Sequence, residues 1–239
     1  MKAIILAAGK STRFKSDKPK VIHKVAGKLV VQHLIDLAKA EGIKEIVVVL
    51  GYKGEEVKNT LSGQILNFAW QKEQLGTGHA VMAANEFIDE DDILILYGDV
   101  PAIKKETLQE LIKTHLQGGN IVTILTADLS DPKWYGRIIR KNNKVIGIKE
   151  MKDCSPEELM IKEINSGIYI VKGDFLKKAL FELKDNNAQK EYYLTDIVGI
   201  AASENQKVGT FIIHDENEIK GINSLEELEE MKKIMQGHN

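Results

Sequence analysis

The sequence predicts an α/β protein with a doubly wound, Rossmann-like sheet that is mixed but mostly parallel. Short apolar runs alternate with amphipathic stretches along the whole chain, which is typical of this class. Apart from Glu45, the runs at 45–50 and 93–97 are apolar, as expected of central parallel strands that are buried on both faces. Polar turns that contain glycine follow several of these runs, as expected where a sheet ends in a binding crevice.

The elements follow from this periodicity. The predicted strands share an apolar run, and they are 2–6, 45–50, 65–70, 93–97, 121–127, 164–171 and 208–213. The predicted helices carry apolar residues at helical spacing, and they are 29–41, 54–61, 77–87, 105–117, 173–183 and 191–203. A last helix is expected from Ser224, where Glu227 three residues later fits a capping box.

Two segments of the second half look like more exposed, antiparallel strands. These are 137–149 and 164–171, and the pair Asn142-Asn143 is expected to form a turn within the first of them. The sequence therefore predicts a mixed sheet with a substrate-facing insertion in its second half.

Composition limits the classes of protein that the chain can belong to. The 239 residues are 43% apolar, which is enough to form the core of one domain spanning 1–239. The formal net charge of −2 lacks the excess of basic residues that is typical of general nucleic-acid binders. The single cysteine, Cys154, excludes a disulfide within the chain. No apolar run is long enough to cross a membrane, so we expect a cytoplasmic protein that binds neither nucleic acid nor membrane. The oligomeric state is left open.

The first strand leads into Ala7, Ala8 and Gly9 and then into a stretch rich in positive charge. The basic residues are Lys10, Arg13, Lys15, Lys18, Lys20, Lys24 and Lys28, and the only acid among them is Asp17. Small residues let a ligand approach the backbone, and the basic side chains can neutralise phosphate charge. The segment predicts a nucleotide site.

Two common nucleotide motifs are excluded by spacing. A P-loop requires glycine five residues before the Gly9-Lys10 pair, and that position is Ile4. No G-x-G-x-x-G fingerprint follows the first strand. In open α/β sheets ligands bind beyond the carboxyl ends of the strands. Three turns are expected to meet there: 8–10, 71–78 and 98–101.

Asp99 lies just past an apolar strand and beside the predicted phosphate site. A carboxylate there is either a turn or N-cap residue or a ligand of Mg²⁺, which prefers oxygen donors and usually takes one or two from the protein. We expect the Mg²⁺ role.

Several ordered segments together resemble the sugar-1-phosphate nucleotidyltransferases. The opening motif is LAAGKSTR at 6–13, followed by Pro19-Lys20, and the other segments are QKEQLGTGHA at 71–80, LYGDVP at 96–101, YGRIIR at 135–140, EINSGIY at 163–169, EYYLTD at 191–196 and GINS at 221–224. Within this family the chain is most similar to the uridylyltransferase domain of the bacterial N-acetylglucosamine-1-phosphate uridyltransferases. The resemblance runs from Lys2 to about Met235 and implies the nucleotide-diphospho-sugar transferase fold.

The chain departs from the family pattern in two places. Ser11 stands where the family usually has glycine, and its side chain would either crowd the triphosphate or supply a hydrogen bond. The bifunctional members continue into a left-handed β-helix that transfers an acetyl group, whereas these 239 residues contain no hexapeptide repeats. We therefore expect no acetyltransferase domain, in either a naturally monofunctional protein or a truncated form.

The resemblance implies a role for each site residue. Arg13 and Lys20 would hold the triphosphate, with Lys10 assisting, and Asn223 would join Asp99 as the second metal ligand, although alone it would pass as a turn residue. The expected nucleotide-binding residues are Leu6, Ala7, Ala8, Gly9, Lys10, Gln71, Gly76 and Thr77. The expected sugar-binding residues are Tyr97, Gly136, Glu150, Asn165 and Thr195.

Some of these residues have an ordinary structural alternative. Gln71 offers a donor and an acceptor that match one edge of uracil, Gly76 would let the base approach, and Thr77 is expected to cap the helix that follows it. Glu150 would otherwise be an exposed strand residue, and Tyr97 a core residue.

The expected reaction is Mg²⁺-dependent transfer from UTP to N-acetylglucosamine 1-phosphate, which yields UDP-N-acetylglucosamine, a cell-wall precursor, and pyrophosphate. Two alternatives stay open. One is the same chemistry on another pair, such as glucose 1-phosphate with UTP or dTTP. The other is a non-catalytic nucleotide-sugar sensor, which the intact set of Arg13, Lys20, Asp99 and Asn223 argues against.

Overall fold

The structure is a computed structural model that describes residues 1–10, 13–14 and 16–236. Nine strands within these residues form one sheet. They are β1 (Lys2–Ala7), β4 (Ile46–Leu50), β5 (Asn67–Trp70), β6 (Asp92–Tyr97), β7 (Val122–Asp128), β8 (Arg137–Lys141), β9 (Lys144–Lys149), β10 (Glu163–Lys172) and β11 (Val208–Ile213). Two short strands, β2 (Lys24–Val25) and β3 (Lys28–Leu29), pair separately.

The main sheet has the order β11-β7-β10-β6-β1-β4-β5, and β8 joins it at the start of β10. Strand β1 is parallel to β4 and β6, β4 is parallel to β5, and β11 is parallel to β7. Only β10 in this order runs antiparallel to its neighbours β6 and β7. The prediction of a mixed, mostly parallel sheet is confirmed.

Helices cover both faces of the sheet. The helices are α1 (Val30–Ala40), α2 (Gly54–Thr60), α3 (Thr77–Ala83), α4 (Lys105–Gly118), α5 (Pro156–Leu159), α6 (Gly173–Glu182), α7 (Asp196–Ser203) and α8 (Leu225–Gln236). The apolar faces of α1, α2 and α4 pack on one side of the sheet. Those of α3, α6 and α7 pack on the other. This is the doubly wound arrangement that the alternation predicts.

The strand β10 corrects one prediction. Residues 137–149 do form an exposed antiparallel hairpin, and Asn142 and Asn143 turn it with φ of 50° and 62°. Residues 164–171 are antiparallel but buried, not exposed. The sequence does not show which strands are neighbours, and β10 lies in the middle of the sheet and is covered on both faces.

Two helix boundaries also differ from the prediction. The helix expected at 191–203 begins only at Asp196, because residues 191–195 form a connection that leads to it. The helix expected at 77–87 ends at Ala83 and is followed by a short 3₁₀ turn, Asn85–Phe87.

Helix α8 packs away from the main sheet, over the segment that follows β1. Its Leu228 and Met231 contact a small core formed with Phe14, Val25 and Val30. In residues 1–10, 13–14 and 16–236, no helix is both long enough and apolar enough to span a bilayer.

Candidate active site

The carboxyl ends of β1, β4 and β6 lie side by side at one edge of the sheet. A Cβ added at Gly51, after β4, would lie 2.5 Å from the carbonyl oxygen of Ala8. One added at Gly98, after β6, would lie 2.8 Å from the carbonyl oxygen of Leu6. Glycine on both neighbours therefore lets the backbone of the β1 turn sit in a narrow space between them.

The predicted phosphate loop starts at this point. Leu6, Ala7 and Ala8 are largely buried at the end of β1, whereas Gly9 and Lys10 are exposed. A Cβ at Gly9 would meet nothing within 4 Å, so packing within the described residues does not explain the glycine.

The loop is fixed further along by Phe14. Its side chain is buried in the small core under α8, and its ring contacts that of His23 at 4.8 Å between centroids. Arg13, next to it, is exposed and makes no hydrogen bond or ion pair with the described residues. Ser11, the departure from the family pattern, lies outside the described residues. The sequence reasoning missed Phe14, although an aromatic residue inside a basic loop was the available signal.

Three predicted residues meet at the edge of the sheet. The ammonium group of Lys20 bonds to Oδ2 of Asp99 and lies 3.2 Å from Oδ1 of Asn223. Lys20 begins a 3₁₀ turn after Pro19, Asp99 follows β6, and Asn223 precedes α8. The side chains of Lys20 and Asp99 are each about five-sixths buried, so their charges are partly shielded from water.

The backbone holds Asn223 near Asp99. The N–H of Ile222 donates to the carbonyl oxygen of Asp99 at 2.9 Å, and the N–H of Asn223 donates to the carboxylate of Glu227 at 2.5 Å. The N–H of Glu227 in turn donates to the Ser224 hydroxyl, the bond that the predicted capping box requires. The second bond of the box differs, because the Glu227 carboxylate accepts from Asn223 and not from Ser224. The cap of α8 thus orients a site residue.

The donors around Lys20 fit a magnesium ion. Oδ2 of Asp99 and Oδ1 of Asn223 converge on one cationic group, and both are the oxygen ligands that Mg²⁺ prefers. The described residues contain no group of three or more His, Cys, Asp or Glu side chains that could hold a metal. Mg²⁺ is usually bound by one or two protein ligands with phosphates and water, so two donors beside a phosphate loop suffice.

The loop after β5 forms a second wall. Gln71 is buried, and its Nε2 donates to the carbonyl oxygen of Gly76 at 3.0 Å and to Nδ1 of His79 at 3.1 Å. The amide N–H group of Gln71, which was predicted to donate to uracil, therefore already donates to groups within the protein. Gly76 has φ of 110°, and a Cβ there would lie 2.6 Å from the carbonyl oxygen of Tyr192. Backbone packing accounts for this glycine without a base.

Thr77 does not cap α3 as predicted. The residue before the helix is Gly76, and the Thr77 hydroxyl accepts a hydrogen bond from the N–H of Leu194 at 3.1 Å. Leu194 is 117 residues away in the sequence, so local spacing could not reveal this partner. Thr77 instead joins the loop after β5 to the segment that precedes α7.

A cavity of about 420 Å³ opens beside Asp99 and Asn223. Tyr97, Gly136, Glu150 and Asn165 line it, so the structure brings four of the five predicted sugar residues together. The fifth, Thr195, lies behind Glu150, and its hydroxyl donates to Oε1 of Glu150 at 3.1 Å. The reversed direction of β10 is the reason that Asn165, at its start, reaches the edge where β6 ends.

The polar groups of the cavity are partly desolvated. Burial raises the pKa of the Glu150 carboxyl, while the bond from Thr195 acts in the opposite direction. Burial also raises the pKa of Tyr97. Oδ1 of Asn165 accepts from the N–H of Gly167 at 3.0 Å, which fixes the amide inside an irregular section of β10.

The loop 131–136 forms one side of the cavity and contains the predicted sugar residue Gly136, but the sequence reasoning assigned no role to its Trp134 and Tyr135. It carries Trp134, whose side chain is 59% exposed, and Tyr135, whose hydroxyl donates to the carbonyl oxygen of Ile219 at 3.3 Å. The exposed tryptophan next to the quoted motif at 135–140 was a signal that could have been used.

Comparison with known proteins places the chain in a family. The model for MobA-like NTP transferase domains matches residues 3–142, which is more than half of the chain. The chain is 50% identical over 236 residues to the bifunctional protein GlmU of Clostridioides difficile (strain 630), covering 98% of the chain and 51% of that protein. It is 47% identical over 236 residues to the bifunctional protein GlmU of Alkaliphilus oremlandii (strain OhILAs), covering 98% and 52%. The chain spans about half the length of these curated relatives.

Solved structures share the fold at lower identity. A UDP-glucose pyrophosphorylase complexed with UDP-glucose matches with a TM-score of 0.79 and 18% identity, over 100% of this chain and 99% of that one. A putative glucose-1-phosphate thymidylyltransferase from Bacillus anthracis, in complex with a sucrose, matches with a TM-score of 0.79 and 20% identity, over 100% and 96%. The family match and the two close relatives show that this chain belongs to the MobA-like NTP transferase family, as an enzyme of the sugar-1-phosphate nucleotidyltransferase type.

Proposed function

We propose that the chain transfers a uridylyl group from UTP to N-acetylglucosamine 1-phosphate in the presence of Mg²⁺. The products are UDP-N-acetylglucosamine and pyrophosphate. The observation that carries the proposal is the meeting of Lys20, Asp99 and Asn223 at the side of a cavity lined by sugar-directed polar groups. The identity of about half to two bifunctional GlmU proteins supports the choice of this branch of the family.

The nucleophile needs no general base. A phosphate monoester has its second pKa near ~6, so a sugar 1-phosphate is largely dianionic at neutral pH. One of its oxygens attacks the α-phosphorus of UTP, and the bond to the pyrophosphate oxygen breaks. The protein then has to align two anions and neutralise their charge.

Asp99 and Asn223 are the residues that would hold the magnesium ion. When bound, Mg²⁺ neutralises charge on the reacting phosphates and polarises the phosphoryl group. Lys20 already lies against both ligands and supplies a positive charge for the phosphates that enter there. Arg13 and Lys10 are exposed on the same loop and are free to meet the departing pyrophosphate, for which an arginine fork suits two oxygens at once.

The sugar would lie in the cavity beside this cluster. Glu150 accepts hydrogen bonds from sugar hydroxyls, and Thr195 orients its carboxylate. Asn165 offers an amide to a hydroxyl or acetamido group, Gly136 leaves room over Glu150, and Tyr97 walls the site. The nucleotide would lie along 6–10 and against the loop that carries Gln71, Gly76 and Thr77.

Pyrophosphate release tests the proposal directly. Purified protein is incubated with Mg²⁺ and each of three pairs: UTP with N-acetylglucosamine 1-phosphate, UTP with glucose 1-phosphate, and dTTP with glucose 1-phosphate. We expect rapid release with the first pair, at least tenfold faster than with the others, and no release after the metal is removed with a chelator. Asp185→Ala, a change at an exposed acid outside the site, is the matched control and should behave as the parent chain.

The other outcomes assign different functions. Faster release with a glucose 1-phosphate pair would overturn the choice of sugar or base and keep the chemistry. If no pair releases pyrophosphate and the folded protein still binds UDP-N-acetylglucosamine, the chain would be a nucleotide-sugar sensor and not an enzyme.

A further inference from the structure

Trp134 is the largest apolar side chain at the mouth of the cavity. It lines the same cavity as Gly136, Glu150 and Asn165, and 59% of its surface is exposed. An indole left in water forgoes the favourable free energy that burial of a large apolar side chain provides. Among the described residues it belongs to none of the hydrophobic clusters.

The loop that carries Trp134 is firmly held. The guanidinium group of Arg137 is almost fully buried, and it donates to the carbonyl oxygen of Tyr135 and, at 3.2 Å, to that of Lys133. The hydroxyl of Tyr135 ties the other side of the loop to Ile219, in the segment that leads to Asn223. The indole is therefore presented to the cavity by a braced loop.

The backbone next to Trp134 is in an unusual conformation. Lys133 has φ of 44°, in the left-handed region that a residue with a side chain rarely adopts. Such conformations are energetically unfavourable and concentrate at ligand sites. The Lys133 ammonium lies 5.8 Å from the centre of the Trp134 ring, which keeps a positive charge at the entrance.

The cavity thus combines two kinds of surface. Glu150 and Asn165 are polar groups suited to hydroxyl and amide edges, whereas Trp134 is a flat apolar face at the opening. A pyranose ring has the same two kinds of surface, with hydroxyl groups on its edge and C–H groups on its faces. Binding sites for small molecules commonly pair aromatic walls with a few polar groups that fix orientation.

We propose that Trp134 is a binding platform for the sugar ring and stacks against its C–H face. This inference rests on the proposed function, because it assumes that a sugar phosphate occupies the cavity. The platform holds the sugar equally in the ground state and the transition state, so its loss raises KM without a matching fall in kcat.

Fluorescence provides a direct test, because the chain has only two tryptophans, Trp70 and Trp134. Trp70→Phe leaves Trp134 as the sole reporter. In this variant we expect N-acetylglucosamine 1-phosphate and UDP-N-acetylglucosamine to change the emission in a saturable way, and UTP alone to leave it nearly unchanged. An unchanged emission with both sugar ligands, or an equal change with UTP alone, would overturn the proposal.

Kinetics of Trp134→Ala and Trp134→Phe give the second readout. We expect Trp134→Ala to raise KM for the sugar phosphate about fivefold to tenfold, to leave KM for UTP within twofold and to change kcat less than threefold. Trp134→Phe keeps a flat ring and should recover most of the affinity. An unaltered KM for the sugar phosphate in Trp134→Ala would contradict the platform.

The two proposals fail in different ways. Normal pyrophosphate release with no emission change from the sugar ligands would leave the proposed function standing and remove the role of Trp134. Absence of turnover with a saturable emission change from UDP-N-acetylglucosamine would remove the reaction and leave the platform standing.

Discussion

The ammonium group of Lys20 contacts both the carboxylate of Asp99 and the amide oxygen of Asn223. In the sequence, Lys20 is separated from Asp99 by 79 positions and from Asn223 by 203 positions. Replacing Asp99 by Ala removes the proposed metal ligand and a full negative charge. If the metal supplies several kcal/mol of transition-state stabilisation, kcat should fall on the order of 10²-fold or more. Steady-state rates of pyrophosphate release over a Mg²⁺ titration measure this loss.

Asp99→Asn separates charge from shape, because the amide keeps the size of the side chain and one oxygen. We expect its half-saturating Mg²⁺ concentration to rise and its melting temperature to stay near that of the parent chain. A folded Asp99→Ala protein with near-normal turnover at low Mg²⁺ would exclude Asp99 as a metal ligand.

At Glu150, the charge that would favour the proposed binding of the sugar phosphate is unfavourable for the stability of the folded chain. Burial raises its pKa, so the folded chain favours the protonated form, and the stability that this form provides is lost as pH rises through the folded pKa. Glu150→Gln should therefore raise the melting temperature at pH 7, because it removes a buried charge and keeps an oxygen for Thr195. It should also raise KM for the sugar phosphate by about tenfold, since a hydrogen bond to a charged group is worth about 1.5–3 kcal/mol.

Melting curves at pH 7 and pH 4 test whether Glu150→Gln raises or lowers the melting temperature. The advantage of Glu150→Gln should shrink at pH 4, where the parent carboxyl is largely protonated. Glu158 provides the contrast, because its hydrogen bond with Lys149 lowers its pKa, and Glu158→Gln should lower stability at pH 7. A lower melting temperature for Glu150→Gln at pH 7 would mean that burial is not the dominant influence on this carboxyl.

At the scale of elements, the turn after β1 depends on glycine in the neighbouring strands. Gly51→Ala would bring a methyl group to 2.5 Å from the carbonyl oxygen of Ala8, which is backbone and cannot move aside cheaply. Overpacking of this kind costs about 1–3 kcal/mol, and each kcal/mol lowers the melting temperature by about 2–4 °C in a chain of this size. Calorimetry or circular dichroism melting measures the shift.

Gly9→Ala is the matched control for Gly51→Ala. Its methyl group would meet nothing within 4 Å, so we expect an unchanged melting temperature together with a raised KM for UTP. Equal melting temperatures for the two variants would show that the turn is not confined between β4 and β6. An unchanged KM for UTP in Gly9→Ala would argue that the nucleotide does not approach Gly9.

The elements also show which features periodicity can predict. The strands at β1, β4 and β6 are continuous apolar runs, and their positions agree with prediction to within one residue. The exposure of β10 was misjudged because its place between β6 and β7 depends on residues far apart in the sequence. Asn165 was predicted as a sugar residue and does line the cavity, whereas the Ser166 hydroxyl donates to the backbone carbonyl of Leu125. Thr77 was misassigned for a related reason, since its hydroxyl is satisfied by a distant N–H and not by its own helix.

For the whole molecule, contacts between residues that are distant in sequence could not be predicted from the spacing of residues alone. Nothing local predicts that Lys20 touches Asn223, and only the resemblance to a family connected them. The same resemblance supplied no role for Trp134 or Phe14, because neither stands among the quoted site residues. Their places become apparent only in the fold, where Trp134 is exposed in the cavity and Phe14 is buried under α8.

A buried polar cluster lies at the opposite end of the strands from the active site. His115 of α4 is fully buried, with Nδ1 2.9 Å from the hydroxyl of Thr123 and Nε2 3.4 Å from Oδ1 of Asp92. Lys172 of β10 faces the same carboxylate at 2.8 Å. Burial is the largest influence and lowers the pKa of His115, although Asp92 acts in the opposite direction.

The lowered pKa of His115 determines how its contribution to stability depends on pH. The folded chain holds the imidazole neutral, so the stability it contributes is fully present above the unfolded pKa of about 6.5 and is lost as pH falls towards the folded pKa. One proton gives a slope of at most about 1.4 kcal/mol per pH unit. Among the described residues, the carboxyls whose pKa is lowered act at lower pH, below their ordinary values of 3.8–4.5; they are Asp36, Asp89, Glu157, Glu158 and Asp215.

Glu150 and Asp196, whose pKa values burial raises, oppose this effect because they add stability as pH falls. We therefore expect the difference between variants to be diagnostic: between pH 6.5 and pH 5 the free energy of unfolding should fall less, or rise more, in His115→Gln than in the parent chain. His23 also has its pKa lowered by burial, so it contributes in the same direction as His115. Urea unfolding at half-unit pH steps measures the difference, with His214→Gln, at an exposed histidine, as the control. Identical slopes for the parent chain and His115→Gln would show that the buried imidazole takes up no proton on unfolding, and the interior at the far end of the sheet would then have to accommodate the charged form.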